Sequence, residues 1–285
     1  MLQPTLTSLE TADGLSLHVH EWPRDEARGT VLIVHGLGEH IGRYEHVAAH
    51  LLRGGHHVVG YDQRGHGDSA GARGRLNRPD DLLHDLAHVI DAVRVRFPGP
   101  LVLLGHSMGG LVAARMVAGG LESPPPTWWR GVDALVLSSP ALDPGMSGAQ
   151  KLLLSVLGGV APNLAVGNGL KPDWISRDPA VVEAYLSDPL VHDRVTPQLV
   201  RFIVDAGEFV RAQAPRWRVP TLLLYAGSDR CVAPAGSAAF ASAAPAGVVT
   251  TQAFPALFHE IFNEPEQAQA FAVLAGWLNP RSRPD

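Results

Sequence analysis

A chain of 285 residues, 46% hydrophobic and 18% charged, can bury a sizeable core as one large α/β domain or two smaller ones, and its composition excludes general disorder. A formal net charge of −5 without any long basic run gives no reason to expect a nucleic-acid partner. The single cysteine, Cys231, excludes an intrachain disulfide and fits a reducing compartment. The opening MLQPTLTSLE lacks the basic region and apolar run of a secretion signal, so a cytoplasmic location is expected. No uninterrupted apolar window is long enough for a transmembrane span.

The first segment, LTSLETADGLSLHVHEW, holds two alternating stretches joined at Asp13-Gly14, the pattern of a hairpin. TVLIVHG is a short, β-branched apolar run, expected as a strand buried on both faces. RYEHVAAHLLRGG has helical spacing and closes on two glycines suited to a C-cap. HHVVGYD reads as a second buried strand, and PDDLLHDLAHVIDAVRVRF as a helix opened by proline and acidic residues. LVLLGHS, VDALVLSSP, PTLLLYAGSD and GVVTTQAF supply further strands. This alternation predicts an α/β fold, a mostly parallel sheet flanked by helices. Residues 141–215 break it, with no convincing strand but three helical stretches, KLLLSVLGGVAPNLAV, PAVVEAYLSDPL and TPQLVRFIVDAGEFVRAQ. They are expected to form an inserted helical cap at one end of a core made of residues 1–140 and 216–285.

Between LVLL and the helical LVAARMVAGG stands Gly105-His106-Ser107-Met108-Gly109, a G-x-S-x-G sequence at a strand-to-helix junction. The glycines leave room for a tight turn that lifts the Ser107 hydroxyl clear of the sheet. The helix start adds unpaired N–H groups and positive dipole beside it. A serine hydroxyl is unreactive at neutral pH without a base, and the base needs an acid to orient it and stabilise its charged form. In the chain order Ser, Asp or Glu, His, the acid is Asp229, at the end of LLLYAGSD; Asp188 and Asp205 compete but fall in the expected cap. Of fourteen histidines only His259 follows Asp229. An oxyanion needs two backbone donors, expected from Met108 after the serine and from Leu37 in VLIVHGLGEH. His35, in that loop, reads as a hydrogen-bonded stabiliser.

The stretches HGLGEHIGRY, YDQRGHGDSAGARG, GHSMGG, LSSP, YLSDPLV, YAGSDRCV and FHEIFNEP run through almost the whole chain. Together they resemble the cap-bearing α/β-hydrolases of the monoacylglycerol lipase and lysophospholipase kind, the serine aminopeptidase S33-like branch. The resemblance implies an α/β-hydrolase fold and cofactor-free ester hydrolysis by a triad of Ser107, Asp229 and His259, with Leu37 and Met108 as oxyanion donors. It also implies a small polar pocket for the glycerol end of a substrate at Glu39, Arg43, His106 and Tyr185. Glu39 and Arg43 could equally pair with each other and brace the loop. The apolar stretch at 151–166 would line an acyl tunnel or simply pack the cap onto the core.

The leading expectation is hydrolysis of a small single-chain lipid ester, monoacylglycerol to glycerol and fatty acid, through an acyl-enzyme. Lysophospholipase or short-chain carboxylesterase activity is the alternative, followed by acyl transfer or perhydrolysis and by a non-catalytic binding protein. The cap is a candidate for transient contact with a membrane surface. Acyl length and oligomeric state are not legible. No metal is expected, since His84 and His88, four apart, lack a third ligand, and His18 and His20 lack partners. Arg64 and Asp68 read as loop braces, Trp128-Trp129 as a loop packed on the core, and Cys231 as a small buried residue.

Overall fold

The computed structural model describes residues 3–148, 150, 154 and 158–279. The hairpin forms as expected, β1 (Thr5–Glu10) antiparallel to β2 (Ser16–Trp22). Then come β3 (Thr30–Val34), α1 (Glu45–Arg53), β4 (His57–Tyr61), α2 (Asp81–Arg96), β5 (Leu101–His106), α3 (Ser107–Gly119) and β6 (Ala134–Ser138). After β6 the chain builds β7 (Val166–Gly167), α4 (Pro179–Ser187), β8 (Arg194–Val195) and α5 (Pro197–Gln213). It then returns as β9 (Thr221–Ala226), α6 (Pro234–Ala243), β10 (Val249–Phe254) and α7 (Gln267–Leu278).

Eight strands make one sheet in the order β1-β2-β4-β3-β5-β6-β9-β10, parallel from β4 onward and antiparallel at the β1 and β2 edge. The apolar runs follow from burial on both faces. In β3, Leu32 and Val34 join α2, α3 and α5 in one core, while Val31 and Ile33 join α1 and α7 in the other. After β3 the chain moves outward to β4, then returns to the other side of β3 as β5. The loops after β3 and β5 therefore diverge and leave a crevice at the carboxyl ends of these strands.

The segment between β6 and β9 differs from expectation at both ends of its character. A two-residue antiparallel pair, β7 with β8, lies where no strand was expected, too short to carry a periodic signal. The last helix of the expected cap, α5, buries Leu199, Phe202, Ile203, Ala206 and Val210 in the same core as α3. Its Gly207 sits so close to Leu142 that a Cβ would meet the Leu142 carbonyl oxygen at 2.5 Å. The helix thus packs as a sheet-covering layer, with the apolar stripe such a role demands. Of the apolar stretch at 151–166, residues 151–153 and 155–157 lie outside the described residues.

Candidate active site

Ser107 is the first residue of α3 and holds a φ of +53°, a backbone conformation costly for a residue with a side chain. The turn is set by close backbone approach. A Cβ on Gly105 would lie 2.5 Å from the Gly109 carbonyl oxygen, and one on Gly109 would lie 2.2 Å from the carbonyl oxygens of Val34 and His35. Only glycine lets α3 start so near β3, and the Ala141 N–H donates to the Ser107 carbonyl at 2.9 Å to pin the far side.

Asp229 and His259 arrive from the loops after β9 and β10. His259 Nδ1 donates to Asp229 Oδ2 at 2.7 Å, which leaves Nε2 as the acceptor 2.8 Å from Ser107 Oγ. The other oxygen of Asp229 accepts from the N–H groups of Cys231 and Val232, at 2.8 and 3.1 Å. Both side chains are buried, 1% exposed for Asp229 and 6% for His259. Burial alone would push the His259 imidazole down, but the charge and hydrogen bond of Asp229 outweigh it and raise the imidazole above its ordinary 6.5. A hydroxyl, imidazole and carboxylate linked in this way can pass a proton from oxygen to nitrogen while the carboxylate stabilises the imidazolium.

The other expected residues gather around the same crevice. A cavity of about 210 Å³ is lined by Ser107 and His259, by Gly36 and Leu37, by Glu39, His106, Tyr185 and Glu260, and by apolar groups that include Leu170, Ile175, Leu186 and Val191. Leu37 thus stands beside Ser107. Met108, buried at 1% exposure, is in the first turn of α3, where N–H groups have no partner within the helix. His106 Nδ1 meets Ser138 Oγ at 3.1 Å, and burial with the neighbouring His259 pushes its imidazole down to about 4.

Glu39 and Arg43 do pair, with Arg43 Nη1 2.5 Å from Glu39 Oε2. Glu39 Oε1 accepts from the Gly36 N–H and the Tyr44 hydroxyl, both at 2.6 Å, so the carboxylate also fixes the loop that presents Leu37. Burial opposes its ionisation, but Arg43 and the surrounding hydrogen bonds hold it down at about 2. The guanidinium lies 4.9 Å from the centre of the Tyr185 ring. Its second partner, Glu260, was not foreseen and accepts from Arg43 Nη1 and Nη2 at 2.7 and 2.8 Å. Glu264 was also missed. Fully buried, it accepts from the Phe258 N–H at 2.9 Å, Ser176 Oγ at 2.8 Å, and the Arg177 N–H and Nε at 2.5 and 2.6 Å. Both lie in FHEIFNEP beside His259, which was the one signal available, but their charged partners, Arg43 and Arg177, are far away in the chain.

The remaining readings resolve simply. His35 donates through Nδ1 to the Gly36 carbonyl and accepts at Nε2 from the Gln63 N–H, as a loop stabiliser would. Arg64 braces its loop through Asp13, Asp81 and Asp85, whereas Asp68 contributes its backbone N–H to Asp62. Trp128 is buried in the core. Among the described residues the one cluster of three metal-capable side chains is Asp229, Cys231 and His259. Two of these are already committed to each other, and burial pushes the Cys231 thiol up, away from the thiolate a metal would need.

Strand order, positive-φ serine after β5 and the Ser107–His259–Asp229 relay are the features of an α/β-hydrolase, the class to which fold and site assign the chain. A family model described as serine aminopeptidase, S33, matches residues 25–266, and the chain belongs to this hydrolase family. It is 35% identical over 260 residues to a monoacylglycerol lipase of Mycolicibacterium smegmatis, covering 90% of each chain. It is 31% identical over 253 residues to the phospholipase YtpA of Bacillus subtilis, covering 88% of this chain and 95% of that one. The crystal structure of a monoacylglycerol lipase from Paleococcus ferrophilus superposes with a TM-score of 0.80 at 33% identity, covering 92% of this chain and 98% of the other.

Proposed function

We propose that the chain hydrolyses carboxylic esters of single-chain lipids, with monoacylglycerol as the leading substrate, through an acyl-enzyme on Ser107. The family makes it an ester hydrolase. The observation that carries the mechanism is the pair of hydrogen bonds joining Ser107 Oγ to His259 Nε2 and His259 Nδ1 to Asp229 Oδ2. Ser107 Oγ attacks the ester carbonyl carbon while His259 takes its proton, and the N–H groups of Leu37 and Met108 receive the developing oxyanion. His259 then gives the proton to the departing alcohol. Water, deprotonated by His259, attacks the acyl-enzyme and releases the fatty acid. No cofactor enters these steps.

The cavity supports the substrate assignment through its two kinds of wall. Glu39, His106, Tyr185 and Glu260, with Arg43 paired to the two carboxylates, form the polar end for the alcohol, and Leu37, Leu170, Ile175, Leu186 and Val191 form the apolar wall for the acyl chain. We take the cap as residues 141–196, ending before α5, since that helix packs with the core. Five of the seven large apolar side chains most exposed among the described residues, Val160, Leu164, Val166, Leu170 and Leu186, lie in it, which supports a brief contact with a lipid surface during substrate capture. No helix among the described residues is long and apolar enough to cross a membrane. A cytoplasmic site of action fits the single cysteine.

The test is a panel of initial rates on monoacylglycerols, lysophosphatidylcholine, diacylglycerol and short p-nitrophenyl esters, beside Ser107→Ala. Preference for monoacylglycerols that vanishes in the variant is the expected result. Rates confined to the synthetic esters would sink the substrate assignment, and activity surviving in Ser107→Ala would sink the mechanism.

A further inference from the structure

The polar end of the cavity carries more negative than positive charge. Glu39 and Glu260, 3% and 6% exposed, face a single guanidinium, Arg43, which is committed to both. Its Nη1 serves Glu39 and Glu260, its Nη2 serves Glu260, and the Tyr185 ring stands against it. Asn263 Nδ2 donates to Glu260 at 2.7 Å but brings no charge. Of the imidazoles in the lining, His106 and His192 add none at neutral pH, because burial, together with His259 in one case and Arg73 in the other, pushes them down to about 4, and His259 is matched by Asp229 at 2.7 Å. Of the other charged lining groups, Asp188 lies 2.8 Å from His40 Nε2 and Asp193 lies 3.1 Å from Arg194. Lys171 is exposed, with its ammonium 5.6 Å from the centre of the Trp174 ring.

We infer that this end of the cavity sorts leaving alcohols by charge: neutral polyols and cationic amino alcohols of the choline and ethanolamine type are accepted, and alcohols carrying a phosphate are turned away. The inference rests on the reading that the alcohol half of the ester occupies the Glu39–Arg43–Glu260 end. A phosphate at that end would need Arg43, and Arg43 could turn to it only by leaving a buried carboxylate unpaired, at a large penalty. A quaternary or primary ammonium meets the opposite situation, two buried carboxylates that share a single guanidinium. The reaction is unchanged by the choice of alcohol: water supplies the hydroxyl of the fatty acid and the proton of the departing alcohol. Glu39 and Glu260 act on binding, as specificity determinants.

The experiment compares kcat/KM for three octanoyl esters, of glycerol, choline and glycerol 3-phosphate, below their micelle points, with p-nitrophenyl octanoate as a reference. The phosphate ester is expected to be slower than the glycerol ester by about tenfold or more, the size of effect one unbalanced charge produces at a few ångströms. The choline ester should match or exceed the glycerol ester, and added salt should narrow the gap. Glu260→Gln should reduce the choline-to-phosphate ratio and Glu260→Asp should keep it; the salt series on the native protein decides the matter should either variant fail to fold. A phosphate ester cleaved as readily as the choline ester, with the glycerol ester a good substrate, would overturn the inference alone. Cleavage of p-nitrophenyl octanoate but of none of the three would overturn the reading of the alcohol end and the inference with it.

Discussion

In the proposed mechanism Ser107, His259 and Asp229 depend on each other in a way that a pH profile reads. The serine proton can be taken only by a neutral imidazole, and Asp229 favours the protonated one, raising His259 above 6.5. As pH falls through that raised value the base is lost, so the acid limb of kcat/KM should have its midpoint above 6.5 and activity should vanish below it. Asp229→Asn should move the limb down and lower kcat by about 10⁴-fold; a limb unmoved by the substitution would deny the carboxylate its role. These three residues were legible because chain order and the strand–G-x-S-x-G–helix context select them with little choice. Glu260 and Glu264 were not, since a carboxylate's meaning depends on partners such as Arg43, which sits 217 positions away from Glu260. The pairing of Glu39 with Arg43 stood open in the sequence beside a role in the pocket, because a separation of four residues allows the contact without requiring it.

At the level of elements, two joints govern the site. The first is the β5–α3 turn, where Gly109 touches the end of β3. Gly109→Ala should cost about 3 kcal/mol or more, read as a lowered unfolding midpoint, because the clash is with backbone that cannot swing away. The second is the tie between the cap segment 175–177 and the His259 loop through Glu264, reinforced by the Glu260 N–H donating to the Ile175 carbonyl at 2.8 Å. Glu264→Gln should lower kcat by about tenfold with KM little changed, since a small displacement of the loop misplaces His259 while the cavity walls stay. An unchanged kcat would show that the loop holds itself. The main strands were legible in the sequence because burial on both faces writes continuous apolar runs. The β7–β8 pair is too short to leave a pattern, and the apolar stripe of α5 does not say which partner it covers, which in the structure is the core shared with α3.

The whole molecule joins a two-sided core to the segment proposed as a cap, where five of the seven most exposed large apolar side chains among the described residues lie. Strand and helix alternation was enough to read the sheet, whereas the packing of α5 against α3, on which the proposed cap boundary rests, is encoded by no local pattern. If the cap surface meets lipid, Leu164→Ser with Val166→Ser should raise the apparent KM on monoacylglycerol presented in vesicles and leave rates on water-soluble esters alone, as neither side chain lines the cavity. Equal KM values for native and variant proteins on vesicles would remove the lipid contact from the account. All of this depends on the serine at the head of α3. The most direct measurement is intact-protein mass after reaction with a fluorophosphonate, followed by mapping of the modified peptide. One adduct per chain, on Ser107, with concurrent loss of esterase activity and no labelling of Ser107→Ala, is the expected result. An adduct on another serine, or esterase activity that survives complete modification of Ser107, would contradict it.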